Sequence, residues 1–220
     1  MTPAPDAPAL ALSASGAVAQ AALRLSDGSV RSAPTRVAEP SRDVAPLAAI
    51  VVAQAGLTPR DLRAALVDVG PGSYTGLRVA VTFARMLAWS AGLPLFVLTS
   101  FELLAVAARD AGLWPEGEDL WVALDARRDA VHLARLRGGT HIEVVGTPRA
   151  VRWHEAPQAL APDAAIVADT SILERIRTLA PRATSAAPFQ AEQLFAAALR
   201  PRLVEPAAVE PLYLMGSYAE

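Results

Sequence analysis

The alternation of apolar and polar positions divides the first half of the chain into short strands followed by helices. Three apolar runs separated by turn residues such as Ser26-Asp27-Gly28 predict a three-strand meander. Apolar residues then recur at helical spacing, first after Ser41, a candidate N-cap, and again after a glycine-rich stretch. The pattern predicts strands at 9–12, 18–25, 29–37, 64–69 and 95–98, and helices at about 41–56, 76–91 and 99–110.

The second half roughly repeats this order of strands before helices, although the two halves differ too much in sequence to be called a repeat. A turn at Gly138-Gly139 joins two strands and places Leu136 opposite His141. Meanders followed by helices predict an α/β protein in which mixed sheets carry helices on their faces. The predicted elements are strands at 120–124, 130–137, 140–145 and 164–168, and helices at 171–179 and 191–199.

The composition removes several classes of protein. A hydrophobic fraction of 53% with 19% charged residues indicates a packed core, and a net charge of −2 gives no broad basic surface for nucleic acid. The absence of cysteine excludes disulfides and thiol catalysis, and the absence of lysine excludes a Walker phosphate loop. There is no basic signal-peptide segment and no apolar run of bilayer length, so we expect a cytoplasmic protein without membrane contact.

The stretch GPGSYTG, which follows an apolar strand and precedes a helix, is the first candidate for chemistry. Its glycines permit a tight backbone, and Ser73 or Thr75 can cap the helix. Amides at such a helix N-terminus also suit an anion, so Gly72, Ser73, Thr75 and Gly76 form a possible anion-binding turn. The sequence favours a capped strand-to-helix turn and leaves the anion site as the lesser alternative.

The histidines and the turn at 125–129 give little indication of a catalytic or metal site, and the helix over 77–91 indicates a role in packing. The three histidines lack metal-ligand spacing, and residues 125–129, DARRD, are typical of a solvated hairpin turn with a local ion pair. The helix over 77–91, in contrast, is apolar nearly all round. A helix on a monomer surface shows a clear polar face, so this helix is either buried between layers or packed on another protein.

Three motifs together resemble the TsaB (YeaZ) family, the scaffold subunit of the bacterial machinery that makes threonylcarbamoyladenosine on tRNA. They are GPGSYTGLRVAVTFARMLAWSAGLPLFVLTSFELLA, ALDARRDAVHLARL and the ending PLYL, in the family's order. The resemblance implies the actin/hexokinase-like (ASKHA) fold of two α/β lobes, each a mixed sheet with helices on its faces. The lobes are expected at about 1–103 and 104–220.

The resemblance also implies a role without catalysis. TsaB-like proteins pair with a TsaD-like paralogue that transfers the threonylcarbamoyl group to the adenosine next to the anticodon. A TsaE-like ATPase docks on that pair, TsaC-like proteins supply the adenylate intermediate, and tRNA is contacted only through the complex. The pairing uses helices 41–56 and 77–91. Helix periodicity then selects the contact residues on these helices, which are Val44, Leu47, Val51, Arg78, Val79, Thr82, Phe83 and Met86.

Two departures from the family pattern argue against a nucleotide or metal site in this chain. Ser13 replaces the first carboxylate of the family's DTS-type turn, and Pro40-Ser41-Arg42 replaces an HSE-like triplet. We therefore expect no cofactor here, with ATP used by the partner complex. Two alternatives stay open: a degenerate ASKHA phosphotransferase or nucleotide-binding protein, and a homodimer built on the same helices.

Overall fold

A computed structural model describes residues 5–33, 43–115 and 117–215. Its contacts divide the chain into two compact units, one of Met1–Ser100 with Gln190–Leu212 and the other of Phe101–Phe189 with Tyr213–Glu220. The family resemblance implied a second lobe of about 104–220, whereas residues 190–212 belong to the first unit. Several contacts hold this segment there: residues 202–204 add a strand to the first sheet, and the Ala191 amide donates to the Gln20 side-chain oxygen at 2.7 Å.

The strands and helices follow the predicted order, with an unpredicted short helix at Ala156–Ala159 and an unpredicted strand at Arg202–Val204. The strands are β1 (Ala9–Ser13), β2 (Gln20–Arg24), β3 (Val30–Ser32), β4 (Ala64–Asp68), β5 (Leu95–Leu98), β6 (Asp119–Asp125), β7 (Ala130–Arg137), β8 (Glu143–Arg152), β9 (Ile166–Ala168) and β10 (Arg202–Val204). The helices are α1 (Val44–Gln54), α2 (Tyr74–Ala91), α3 (Ser100–Asp110), α4 (Ala156–Ala159) and α5 (Leu173–Arg177). Within the described residues, no helix combines the length and apolar content that crossing a bilayer requires.

The first unit is built on a six-stranded mixed sheet in the order β10-β5-β4-β1-β2-β3. Strands β1, β4 and β5 are parallel, while β2, β3 and β10 are antiparallel to their neighbours. Helix α2 connects the parallel strands β4 and β5, and one of its faces packs on the sheet. Because parallel strands end at the same edge, the segments after β1 and β4 meet there.

Helix ends in this unit follow ordinary capping chemistry. The N-cap of α1 is Asp43, whose carboxylate accepts from the Ala45 amide at 3.0 Å. The prediction of Ser41 as N-cap was therefore wrong, and Ser41 itself lies outside the described residues. Helix α2 begins after Ser73, whose hydroxyl accepts from the Gly76 amide, and ends at Gly92 with a left-handed φ of 64°.

The second unit contains a four-stranded sheet in the order β8-β7-β6-β9. Its three antiparallel strands followed by a parallel fourth reproduce the order β3-β2-β1-β4 of the first unit. The hairpin between β7 and β8 is looser than predicted, because Leu136 pairs with Val144 rather than with His141. The helix predicted over 191–199 is a short 3-10 turn at Ala191–Phe195.

Candidate functional site

The glycine-rich turn between β4 and α2 packs directly against the residues that follow β1. The Ser73 amide donates to the Ser15 carbonyl oxygen at 2.7 Å. A Cβ on Gly72 would lie 2.5 Å from that same oxygen, and one on Gly76 only 1.9 Å from the Ala14 carbonyl oxygen. Glycine is therefore required at both positions because two backbone segments meet there without room for a side chain.

This packing occupies donors that an anion would need. The Ser73 amide is bound to Ser15, and the Gly76 amide donates to the Ser73 hydroxyl at 3.3 Å. Thr75 is exposed within the first turn of α2. The geometry thus favours the capped strand-to-helix turn over the anion-binding turn predicted from the same residues.

A buried carboxylate lies behind the turn and was not among the residues predicted to carry chemistry. Asp68, the last residue of β4, has no exposed surface. Its Oδ2 accepts from the hydroxyls of Ser13 at 2.9 Å and Ser15 at 2.5 Å, and its Oδ1 from the Gly70 amide at 2.8 Å. The Ser100 hydroxyl donates to both oxygens, at 2.9 and 3.1 Å.

These bonds explain the role of Ser13. Its hydroxyl points to Asp68, so Ser13, Ser15, Ser100 and Asp68 satisfy one another inside the first unit. Burial raises the pKa of the Asp68 carboxyl above 3.8, and the surrounding donors oppose that rise. The cluster joins the ends of β1 and β4 to the first residue of α3. Its geometry is that of a structural network.

The residues predicted to contact a partner fall into three groups. Val44 and Val51 are fully buried in the core of the first unit, so they cannot make such a contact and that part of the prediction was wrong. Leu47, Val79 and Phe83 are half-buried and pack against that core. Only three predicted residues are exposed on α2: Arg78, Thr82 and Met86.

The outer face of α2 also carries exposed aromatic residues that the sequence prediction missed. Trp89 is 82% exposed and Met86 65%, while Tyr74 is 40% exposed at the start of the helix. Tyr74 contacts Arg78, whose guanidinium lies 5.3 Å from the ring centre. These four residues and Thr82 follow one another at spacings of three or four positions, so all five lie on one side of the helix. We call this set the α2 surface: Tyr74, Arg78, Thr82, Met86 and Trp89.

An apolar pocket of about 350 Å³ lies beside this helix in the first unit. Small side chains of α1 form one wall, and Phe83 and Leu87 of α2 form another. The remaining lining comes from β1 and the turn after α1. The lining residues are Leu10, Ala45, Ala48, Ala49, Val52, Ala53, Leu57, Thr58, Pro59, Leu62, Phe83 and Leu87.

The second unit has a separate pocket at the turn between β6 and β7. The predicted local ion pair is present, with Arg127 Nε 3.4 Å from Asp125 Oδ2. The same turn lines a pocket of about 350 Å³ together with Trp153 and Arg175. The interpretation as a simple solvated turn therefore missed a concave surface.

Within the part of the chain that the structure describes, the histidines form no metal site with other ligands. His132 on β7 is 7% exposed, its Nδ1 has no hydrogen-bond partner, and burial lowers its pKa to about 4 despite the nearby charge of Asp125. Among residues 5–33, 43–115 and 117–215, no group of three His, Asp or Glu side chains is arranged to hold a metal ion. His132 is a neutral core residue.

Comparison with known proteins places the chain in a family. The family model for TsaD, tRNA N6-adenosine threonylcarbamoyltransferase, matches residues 34–155, more than half of the chain. The chain belongs to this family. The TsaB protein of Bacillus subtilis (strain 168) is 47% identical over 53 residues, which span 24% of this chain and 23% of that protein.

Further relatives extend this comparison. The TsaB protein of Haemophilus influenzae is 29% identical over 96 residues, which cover 44% of this chain and 39% of that protein. A tRNA N6-adenosine threonylcarbamoyltransferase of Bordetella avium is 36% identical over 99 residues, 44% of this chain and 28% of that protein. The aligned segments thus cover less than half the length of each of these curated relatives. The sequence resemblance to TsaB (YeaZ) is confirmed.

Solved structures agree on the fold. YeaZ from Pseudomonas aeruginosa superposes with a TM-score of 0.74 at 23% identity, covering 94% of this chain and 99% of that one. A second Pseudomonas aeruginosa structure, described as similar to peptidase YEAZ, gives the same TM-score at 22% identity. Together with the TsaD family match, these structures confirm the predicted actin/hexokinase-like fold of two mixed sheets with helices.

Proposed function

We propose that this chain is a non-catalytic subunit that pairs with a TsaD-like transferase and supports threonylcarbamoylation of the tRNA adenosine next to the anticodon. Family membership supplies the reaction, since curated relatives are named for threonylcarbamoyladenosine biosynthesis. The observation that carries the pairing is the α2 surface. It exposes Met86 and Trp89, two large apolar side chains one helical turn apart.

The chemistry of these residues suits a protein interface. Tryptophan, tyrosine, methionine and arginine are enriched at interface cores, and all four are on the α2 surface. The opposite face of α2 is already used, since Leu77, Ala80, Val81, Ala84 and Ala88 are buried in the core of the first unit. The exposed face is therefore the one available to a TsaD-like partner.

The Asp68 cluster supports the absence of catalysis in the first unit. Two serine hydroxyls, at and just after the end of β1, and the Gly70 amide after β4 are directed at the Asp68 carboxylate instead of at a substrate. We propose that any nucleotide is used by the partner proteins, including a TsaE-like ATPase, and that tRNA is contacted only through the complex. A calorimetric titration with Mg-ATP tests this, because saturable binding by the isolated chain would favour the degenerate phosphotransferase instead.

Variants of the α2 surface test the pairing. Met86→Glu and Trp89→Glu each place a carboxylate where a partner buries the side chain, at a cost of about 3–5 kcal/mol. The affinity for the TsaD-like protein of the same organism, measured by biolayer interferometry, is then expected to fall at least about 100-fold. Both residues are exposed, so the fold should be unaffected.

Val30→Glu is the matched control. Val30 is 40% exposed on the edge strand β3 of the same unit and lies far from α2 in the sheet order. It introduces the same charge, so partner affinity should stay within about twofold of the parent. Undiminished binding by folded Met86→Glu and Trp89→Glu variants would contradict the proposed surface. Equal losses in all three variants would point to a non-specific charge effect.

A further inference from the structure

The turn at the end of β6 has an unusual backbone. Three consecutive residues that are not glycine, Arg127, Arg128 and Asp129, have φ values of 60°, 47° and 56°. Residues with side chains seldom adopt this left-handed region, and a run of three persists only where surrounding groups hold it in place. Strained backbones of this kind cluster at ligand-binding positions, so the pocket that this turn lines is a candidate binding site.

Three neighbouring groups hold the turn. The Arg152 side chain donates to the Arg128 carbonyl oxygen at 2.8 Å, and the Trp153 amide donates to the Asp129 carbonyl oxygen at 3.1 Å. Arg175 on α5 pairs with Asp129 at 2.8 Å. Its guanidinium also lies 4.2 Å from the centre of the Trp153 ring, so two contacts fix its orientation.

The pocket beside the turn presents several guanidinium groups. Arg127, Arg128 and Arg175 line it, and among the described lining residues the opposing charges are those of Asp125 and Asp129. The Arg127 side chain is 82% exposed, and its salt bridge with Asp125 engages Nε alone among its five N–H donors. The pocket thus carries a net positive charge in a chain whose net charge is −2.

We propose that this pocket binds a phosphate group between Arg127 and Arg175. The planar guanidinium fork matches the spacing of phosphate oxygens, and charge-assisted bonds to fixed arginines are stronger than neutral ones. At about 350 Å³ the space accommodates a phosphate with part of the molecule that carries it. The group reaches the pocket either in an RNA backbone or on a small phosphorylated molecule. The inference stands without the proposed pairing with a TsaD-like protein.

The full-length chain, labelled for NMR, is titrated with inorganic pyrophosphate and separately with bulk tRNA. Pyrophosphate should shift the amide signals of residues 127–129 saturably. Arg127→Gln, at an exposed position, should weaken that binding by about tenfold or more. Arg175→Lys keeps the charge but loses the fork, and should also weaken it. Arg149→Gln, exposed on β8 outside the pocket, is the matched control and should bind as the parent does.

The tRNA arm separates the two sources. If RNA is the ligand, Arg127→Gln also weakens tRNA binding and lowers the slope of log K against log salt by about 0.9. If a small phosphorylated molecule is the ligand, the variant affects pyrophosphate and leaves tRNA binding unchanged. The proposal is overturned if millimolar pyrophosphate gives no saturable shift, or if Arg149→Gln loses as much affinity as Arg127→Gln. Binding of the TsaD-like protein by the same variants reports separately on the pairing.

Discussion

Replacing Asp68 by alanine will remove the acceptor that four buried donors of the first unit share. The three serine hydroxyls can partly turn to one another, since the oxygens of Ser13 and Ser15 lie 3.3 Å apart. The Gly70 amide cannot, because its direction is fixed by the turn that follows β4. Alanine therefore leaves at least one buried donor unpaired and opens a small cavity.

The magnitude follows from these two losses. An unpaired buried donor costs about 1–3 kcal/mol, and a cavity of methyl size adds about 1 kcal/mol. The free energy of unfolding should thus fall by about 2–4 kcal/mol. For a chain of this size the melting temperature should fall by roughly 4–16 °C.

Asp68→Asn is the control for this prediction. Asparagine keeps an oxygen for the Gly70 amide, and its NH2 group can donate to serine oxygens, which accept as readily as they donate. Its cost should stay below about 1.5 kcal/mol. Urea unfolding followed by circular dichroism measures both variants. The structural role of the cluster is refuted if Asp68→Ala is as stable as the parent, or if asparagine costs as much as alanine.

The pH dependence of Asp68→Asn supplies a second check on the same carboxyl. Burial raises the pKa of Asp68 in the folded state above its ordinary value of 3.8. At a pH between 3.8 and the raised pKa of the folded state, the carboxyl is ionised in the unfolded chain but still protonated in the folded chain. The free energy of unfolding of the parent therefore falls as pH rises through this range. The asparagine variant lacks this loss. Its stability relative to the parent should therefore improve as pH rises from about 4.

Two further predictions concern other buried positions. Burial lowers the pKa of His132 to about 4, against 6.5 when unfolded, so the parent should lose stability as pH falls from 6.5 to 4, by up to about 3 kcal/mol. In urea unfolding, His132→Leu should lack this loss of stability, whereas the control His154→Gln, at an exposed position, should retain it. Identical dependence of stability on pH in the two variants would contradict the burial effect. Gly76→Ala should cost about 3 kcal/mol or more through its clash with the Ala14 oxygen. Gly16→Ala, with open space around it, should cost little, and equal stabilities would contradict the close approach.

Local sequence signals were sufficient for most of the elements. Strand β5 has its predicted bounds, and α2 lies within two residues of its prediction, because apolar periodicity and a glycine stop are local signals. Strand β10 was missed, since three residues with two exposed side chains give no period and their partner β5 lies about a hundred residues earlier. That pairing, together with the packing of the 3-10 turn Ala191–Phe195 on the same sheet, places residues 190–212 in the first unit.

The candidate sites were harder to predict, for a physical reason. Helix α1 is apolar on nearly all sides, so its sequence does not tell which face the sheet covers, and buried Val44 and Val51 were assigned to a partner. The Asp68 cluster depends on contacts between residues more than fifty positions apart. Trp89 is exposed although tryptophan is usually buried. Helix periodicity alone therefore did not include it among the predicted contact residues.

Pairing with a TsaD-like protein is tested most directly by size-exclusion chromatography with light scattering. The chain is run alone, with the TsaD-like protein of the same organism, and as the Trp89→Glu variant in that mixture. We expect a new species at the summed mass for the parent and separate peaks for the variant. A mass of twice the chain alone would reveal a homodimer that the partner must displace. Two folded proteins that elute separately at micromolar concentration would contradict the proposed function.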